Sequence, residues 1–188
     1  MLKPVLQLDR WLFKLINQVG SNSFFDGLMP FIRNQYIWVP FYLFLLVFVA
    51  VNFKSKLWWW VLFFLATFAI TDLISNQLVK QFFERPRPCI DSVSSETAHM
   101  LIPCSTAYSF VSSHATNHFG LALFLFETMK RFAKPWIWLA FLWAAIICYA
   151  QIYVGAHFPF DILGGALLGA AIGKITSHNY IKQFGGLQ

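Results

Sequence analysis

Charge is what this sequence has least of: Asp, Glu, Lys and Arg make up 12% of its 188 residues, about half the roughly 25% of a soluble domain. With 58% hydrophobic residues it cannot clothe an ordinary core in polar surface, which excludes a soluble globular domain and a disordered chain alike. Three cysteines, Cys89, Cys104 and Cys148, are too few for a disulfide-built scaffold and lack metal-site spacing. Ten glycines and eight prolines without a short period exclude a collagen-like fibre. The first apolar stretch is broken by Asp9, Arg10 and Lys14, so it has no uninterrupted core of a cleavable signal peptide. Apolar and aromatic residues are what remain, and they describe an all-α integral membrane protein, one domain long.

A crossing helix needs about 20 mostly apolar residues. Five segments qualify. Tyr36–Phe53 and Pro135–Val154 carry no charge; Leu57–Val79 carries Asp72 among Ser75, Asn76 and Gln77; Tyr108–Met129 carries His114, Asn117, His118 and Glu127; Phe158–Ser177 holds Asp161 near its start. Ionisable groups inside spans are costly, so the last three are expected to face one another around a site. Before the first span, Leu8, Leu12, Leu15 and Val19 recur at helical spacing opposite Gln7, Arg10, Lys14 and Asn17, the pattern of a helix lying in the membrane interface. Phe24–Ile32 is either a second interfacial turn or a short re-entrant piece, which leaves the count at five or six. The expected organisation is an interfacial segment 1–35 and a membrane-embedded domain 36–188 with an outer loop 84–107.

The net charge of +6 would suggest nucleic acid in a soluble protein, but its placement argues otherwise. Lys54, Lys56, Lys130, Arg131, Lys134 and Lys182 fall in loops on one side, which the positive-inside rule makes cytoplasmic. Trp58, Trp59, Trp60, Trp136 and Trp138 are expected in the interfacial belt at that edge, and Trp38 at the outer one. Cys89 and Cys104 then share an oxidising compartment, where a disulfide between them would stabilise the loop by about 3 kcal/mol; two unpaired thiols are the other reading. Cys148 reads as a packing residue. Gly165, Gly169 and Gly173 form a stripe that lets helix backbones approach closely, against another span of this chain sooner than against a second copy.

Three polar blocks fall at the outer ends of the second, third and fifth spans. Lys80 is followed by Arg85-Pro86 and Arg87-Pro88: an arginine fork and a lysine point charge suit a phosphate, although a basic helix end also serves as a headgroup anchor. Ser109-Phe110-Val111-Ser112-Ser113-His114 opens a helix whose free amides make an anion cradle, with His114 placed to move a proton; a plain polar cap is the blander reading. His157-Phe158-Pro159-Phe160-Asp161 sets a histidine and a carboxylate one helical turn apart, so that Asp161 orients one ring nitrogen and leaves the other nucleophilic. A metal set of His114, His118, His157 and Asp161 is disfavoured, because Lys80 and Arg87 would repel the cation.

The blocks resemble, in order and spacing over residues 57–177, the type 2 phosphatidic acid phosphatase superfamily, whose motifs are Lys-x6-Arg-Pro, Pro-Ser-Gly-His and Ser-Arg-x5-His-x3-Asp. Lys80…Arg87-Pro88 matches the first, Val111-Ser112-Ser113-His114 the second, and Ala150-Gln151…His157…Asp161 the third. The resemblance implies a metal- and cofactor-independent lipid phosphatase of a bacterial inner membrane, its site facing the exterior. His157 would form a phosphohistidine, Asp161 orient it, and His114 protonate the leaving oxygen and then activate water. Lys80, Arg87, Ser112 and Ser113 would hold the phosphoryl oxygens. Undecaprenyl diphosphate is the first expected substrate, with phosphatidylglycerol phosphate, phosphatidate and lipid A as alternatives. The expected partners are membrane lipids, not nucleic acid, and a vanadate haloperoxidase is disfavoured by the membrane setting. Gln151 departs from the pattern: it stands where the family has a second phosphate-binding arginine, a loss of about 2–4 kcal/mol in transition-state binding. Arg85 is the expected substitute; the alternative is a degenerate, weakly active or non-enzymatic binding protein. Ala150 for serine and Ser113 for glycine are milder changes.

Overall fold

Four helical runs are long and apolar enough to cross a bilayer in the computed structural model, which describes residues 2–187: Gln35–Asn52, Lys54–Phe83, Ser113–Tyr153 and Pro159–Phe184. The third, 41 residues long, has about twice the length a hydrocarbon core requires. It doubles back at Lys134, whose φ of 48° and ψ of −128° leave the helical region. The two legs, α6 (Ser113–Ala133) and α7 (Leu139–Tyr153), run antiparallel, with His118 against Trp143 and Phe126 against Trp138. With α3 (Val39–Asn52), α4 (Leu57–Leu73) and α8 (Pro159–Phe184), five apolar legs form the bundle. The α4 leg continues through wider turns over Ile74–Val79 into a last turn, α5 (Lys80–Phe83). Two shorter helices, α1 (Leu2–Lys14) and α2 (Ser23–Ile32), precede the bundle.

Local chemistry sets the helix ends. The α6 helix begins at Ser113, later than the expected Tyr108, because Ser112 caps it: its Oγ accepts the Ala115 amide and its carbonyl the Thr116 amide. The residues before it are held outside a helix, with the Ser109 amide donating to the Arg85 carbonyl at 2.8 Å. Pro159 at the first turn of α8 fits its start, where no amide donor is needed. Leu43, Phe44, Val47, Leu62, Leu142 and Leu167 stay exposed on the outside of the bundle, where only hydrocarbon is a favourable solvent. Trp58 and Trp136 point outward as a belt requires, but Trp60 does not. Its ring is buried against Phe64 and Phe124, and its Nε1 donates to Thr128 Oγ1.

The glycine stripe is used within this chain. A Cβ added at Gly165, Gly169 or Gly173 would lie 2.6, 2.1 or 2.3 Å from the Ser112, Thr116 or Gly120 carbonyl oxygen of α6. The α8 backbone is therefore pressed onto α6, and this contact fixes the first turns of both helices relative to each other. Gly169→Ala forces them apart and is expected to cost about 3 kcal/mol, the upper part of the usual overpacking range. Thermal unfolding in detergent checks this, and an unchanged midpoint would contradict the close crossing.

The N-terminal helices pack differently from the pattern read in the sequence. In α1 the apolar Val5, Leu8 and Trp11 are exposed, while Asp9, Phe13 and the following Asn17 are fully buried against the bundle. Gln7 and Lys14 are exposed as well, so the docked face, Asp9, Phe13 and Asn17, mixes polar and apolar residues and does not follow the amphipathic period. Asn17 Nδ2 donates to the carbonyls of His99 and Tyr153, and Arg10 pairs with Asp91 of the outer loop at 2.7 Å. The α2 helix is held on α7 by Tyr153 Oη, which accepts the Asn22 amide and donates to Asp26. Helices α1 and α2 are thus docked onto the bundle.

Candidate active site

The ends of α5, α6, α7 and α8 meet at one end of the bundle, opposite the basic Lys54, Lys56, Lys130, Arg131, Lys134 and Lys182. A cavity of about 900 Å³ opens there. Its polar end is lined by Arg33, Lys80, Arg87, Ser113, His114, Gln151 and His157, and its apolar wall by Tyr42, Leu43 and Leu46 of α3 and Phe64, Leu65 and Phe68 of α4. The disulfide Cys89–Cys104 closes the outer loop over the polar end, and both cysteines line the cavity. Cys148 is free and buried.

His157 lies in the turn between α7 and α8 and is 2% exposed. The turn needs Gly155, whose φ of +83° is the left-handed region and whose added Cβ would strike Met100. Asp161 follows one turn into α8, but its Oδ2 is 3.6 Å from His157 Nδ1, too far for a hydrogen bond. The hydroxyl of Ser109 stands between them, donating to Asp161 Oδ2 at 2.5 Å and lying 3.3 Å from His157 Nδ1. With its proton given to Asp161, that oxygen can accept the Nδ1–H of His157, which leaves Nε2 unprotonated. Asp161 also accepts the Phe158 amide at 2.8 Å and an Arg85 amino group at 2.7 Å.

Burial is the main influence on the His157 imidazole and lowers its pKa to about 4, with Asp161 pulling it upward and Arg87 and Lys80 adding to the depression. The ring is therefore neutral at pH 7, as a nucleophile must be. An unfolded chain takes up this proton near pH 6.5, so the stabilisation is complete above that value and is lost as the pH falls towards 4. A histidine NMR titration, assigned with His157→Gln, is expected to place this ring's midpoint near 4; a midpoint near the ordinary value of about 6.5 would contradict the burial.

Lys80 reaches the cavity from the last turn of the α4–α5 leg. Its Nζ donates to Asn76 Oδ1 and Ser113 Oγ, each at 2.8 Å, and Asn76 in turn donates to Asp72. Asp72, Asn76 and Lys80 recur every four residues, so one helix face carries a ladder that fixes the ammonium, and Asn117 of α6 donates to the same Asp72. Arg87 is held by the carbonyls of Ala107 and Ala156, and burial lowers its pKa. The Ser113 and His114 amides open α6 and have no partner within the helix, which leaves them for an anion. His114 lines the cavity at this helix start.

Two expected roles are changed by the geometry. Ser112 is fully buried and its Oγ is spent on the cap, so Ser113 and not Ser112 faces the cavity. Arg85 does not stand in for the missing arginine. Its guanidinium lies behind Asp161, divided between that carboxylate and Asp9 of α1, and it stacks 4.4 Å over the Phe158 ring. His118 packs edge-on against Trp143 while its Nδ1 meets the His114 carbonyl. Sequence reasoning missed Ser109 as the link in the dyad, Asp9 as the anchor of Arg85, and Arg33 as a lining residue. The available signals were an acid and a base placed in otherwise apolar helix approaches.

Comparison with known proteins shows the family and the fold. The family model of the PAP2 superfamily matches residues 57–184. A lipid A 4'-phosphatase of Porphyromonas gingivalis is 28% identical over 94% of this chain and 75% of its own length. An undecaprenyl-diphosphatase of Sulfolobus acidocaldarius is 30% identical over 88% of this chain and 75% of its own. Among solved structures, the transmembrane PAP2-type phosphatidylglycerolphosphate phosphatase of Bacillus subtilis superposes with a TM-score of 0.73, covering 96% of this chain and 88% of that one at 21% identity.

Proposed function

The chain belongs to the PAP2 superfamily, and from that premise we propose that it hydrolyses a lipid phosphate or diphosphate at this cavity, through a phosphohistidine on His157. It is a multi-pass membrane lipid phosphatase. The observation that carries the mechanism is the buried, neutral His157 linked through Ser109 to Asp161 beside cations that have no carboxylate of their own. In the first step His157 Nε2 attacks phosphorus and the bond to the leaving oxygen breaks, while His114 gives that oxygen a proton. In the second, water attacks phosphorus, the P–N bond breaks, and His114 takes the water's proton. Lys80, Arg87, the Ser113 hydroxyl and the free amides of α6 hold the non-bridging oxygens, where phosphoryl transfer gains most. Asp161 acts through Ser109 to fix the ring and balance its charge.

The substrate we favour is undecaprenyl diphosphate. The cavity joins a cationic end to one continuous aliphatic and aromatic wall between α3 and α4, suited to the first units of a single isoprenoid tail, and one relative named as an undecaprenyl-diphosphatase matches 88% of the chain. Lipid A is the second reading, favoured by a relative whose match extends over 94% of the chain and so includes the N-terminal helices. The site faces the periplasm or exterior of a bacterial inner membrane in this reading. Its support is the basic loops at the opposite end and the Cys89–Cys104 bond at the site end. The test is phosphate release by the detergent-purified protein, with EDTA present, from undecaprenyl diphosphate, lipid A, phosphatidylglycerol phosphate and phosphatidate. No release from any of them removes the proposal, and the preferred lipid ranks the two readings.

A further inference from the structure

Gln151 sits at the back of the cavity, fully buried, with a neutral amide where the family's motif carries a cation. Its Oε1 is not idle: Arg33 donates to it through Nε at 3.3 Å. Arg33 comes from the C-terminal end of α2, outside the stretch matched by the family model. Its position is well determined, because α2 is tied to α7 through Tyr153 and its last turn is held by Trp38 Nε1 donating to the Ile32 carbonyl at 2.8 Å.

Two orphaned features point into the same space. Gln151 Nε2 is buried and has no partner, although a buried amide left unpaired costs roughly 1–3 kcal/mol. Arg33 lines the cavity, yet among the described residues no carboxylate lies within 4 Å of it and its terminal amino groups donate to nothing. Burial lowers its pKa, but an arginine keeps its charge through such a shift. Arg85, by contrast, has found Asp9 and Asp161 and does not line the cavity. A guanidinium and an amide that face one cavity with free donors and no acceptor are arranged for an anionic guest.

We propose that Arg33, seated on Gln151, is the second phosphate-binding arginine of this enzyme, its charge delivered from α2 instead of α7. Gln151 accepts from Arg33 Nε, which directs the remaining guanidinium edge and the free Nε2–H groups to the same phosphoryl oxygens. The pair thus restores both the charge and the donor count that a glutamine alone forfeits. It also gives the N-terminal helices a part in phosphate binding, since α2 must be docked for the site to be complete. This inference rests on the phosphatase reading above.

The test is a charge-transfer series in the full-length protein, read as kcat, KM and the inhibition constant of orthovanadate, with thermal unfolding as the check on folding. Arg33→Gln keeps a polar side chain but removes the charge, and is expected to lower kcat/KM and weaken vanadate binding by roughly tenfold to a hundredfold. Adding Gln151→Arg to Arg33→Gln returns the cation to α7 and is expected to recover most of that loss. Gln151→Arg alone is expected to bring no gain, because a second guanidinium would face Arg33 at close range. The proposal is overturned if folded Arg33→Gln stays within about threefold of the native protein in both readouts, or if the double variant is no better than Arg33→Gln. Should the native protein hydrolyse no lipid tested, the phosphatase reading fails on its own. Arg33 is then judged by whether inorganic phosphate raises the unfolding temperature of the native protein and not of Arg33→Gln.

Discussion

Replacing His157 by alanine is expected to lower phosphate release by roughly 10⁴-fold or more while leaving lipid binding close to native, because it removes the proposed nucleophile. The loss has to appear in kcat. In the proposed mechanism His157 contributes little to holding the substrate, a role assigned there to Lys80, Arg87, Ser113 and the α6 amides around it. His157→Gln is the matched control: it nearly fills the same buried volume and can still accept from or donate to Ser109, so any difference between the two variants reports packing and not chemistry. The measurement is steady-state phosphate release under saturating substrate. A variant retaining more than about a hundredth of the native rate would assign the nucleophile elsewhere.

Arg85→Ala is expected to damage both stability and turnover, although Arg85 does not line the cavity. Its guanidinium neutralises two fully buried carboxylates, Asp9 and Asp161, at once. Removing one partner of a buried ion pair costs about 3–5 kcal/mol, since the remaining charge is left without compensation. Burial already raises the pKa of Asp9 against the pull of Arg85 and the Phe160 amide, so without Arg85 this carboxyl takes up a proton and releases α1 from the Phe160 turn. Asp161 loses one of its fixed donors, and Ser109 and His157 lose the alignment that depends on it. We expect kcat to fall by roughly 10²-fold and the unfolding midpoint to drop, whereas the vanadate inhibition constant changes by less than in Arg33→Gln. Arg85→Ala with Asp9→Asn is expected to recover stability before it recovers turnover, because it removes the stranded carboxylate at position 9 but not the disorder at Asp161. If Arg85→Ala instead weakened vanadate binding as strongly as Arg33→Gln, Arg85 would be a phosphate ligand after all.

The membrane character and the three polar blocks were legible in the sequence for a simple reason: both are local. A charge-free run such as Val39–Asn52 declares its solvent, and Lys80, His114 and His157 each carry their chemistry within a few residues of a helix end. Where the reading failed, the deciding contact lay far along the chain. Asp9 and Arg33 look like ordinary interfacial charges until α1 and α2 dock, where Asp9 meets the Phe160 amide 151 positions away and Arg33 meets Gln151, 118 away. The α1 helix shows its amphipathic period plainly, yet the period does not say which residues meet protein, and those that do are Asp9, Phe13 and Asn17. Ser109 was visible as a hydroxyl near the cradle, but only the fold of the 108–112 stretch against Asp161 makes it a link in the dyad. Trp60 was assigned to the belt with its neighbours because sequence position gives depth in the membrane and not direction around the helix axis.

The central claim is that phosphorus passes through two displacements, first to His157 and then to water. Its most direct test is the stereochemical course of hydrolysis, in 17O-labelled water, of a lipid phosphorothioate made chiral with 16O and 18O at phosphorus. Two in-line displacements predict retention of configuration in the released thiophosphate. Inversion would mean that water attacks the lipid phosphate directly, with no phosphohistidine, and would contradict the account.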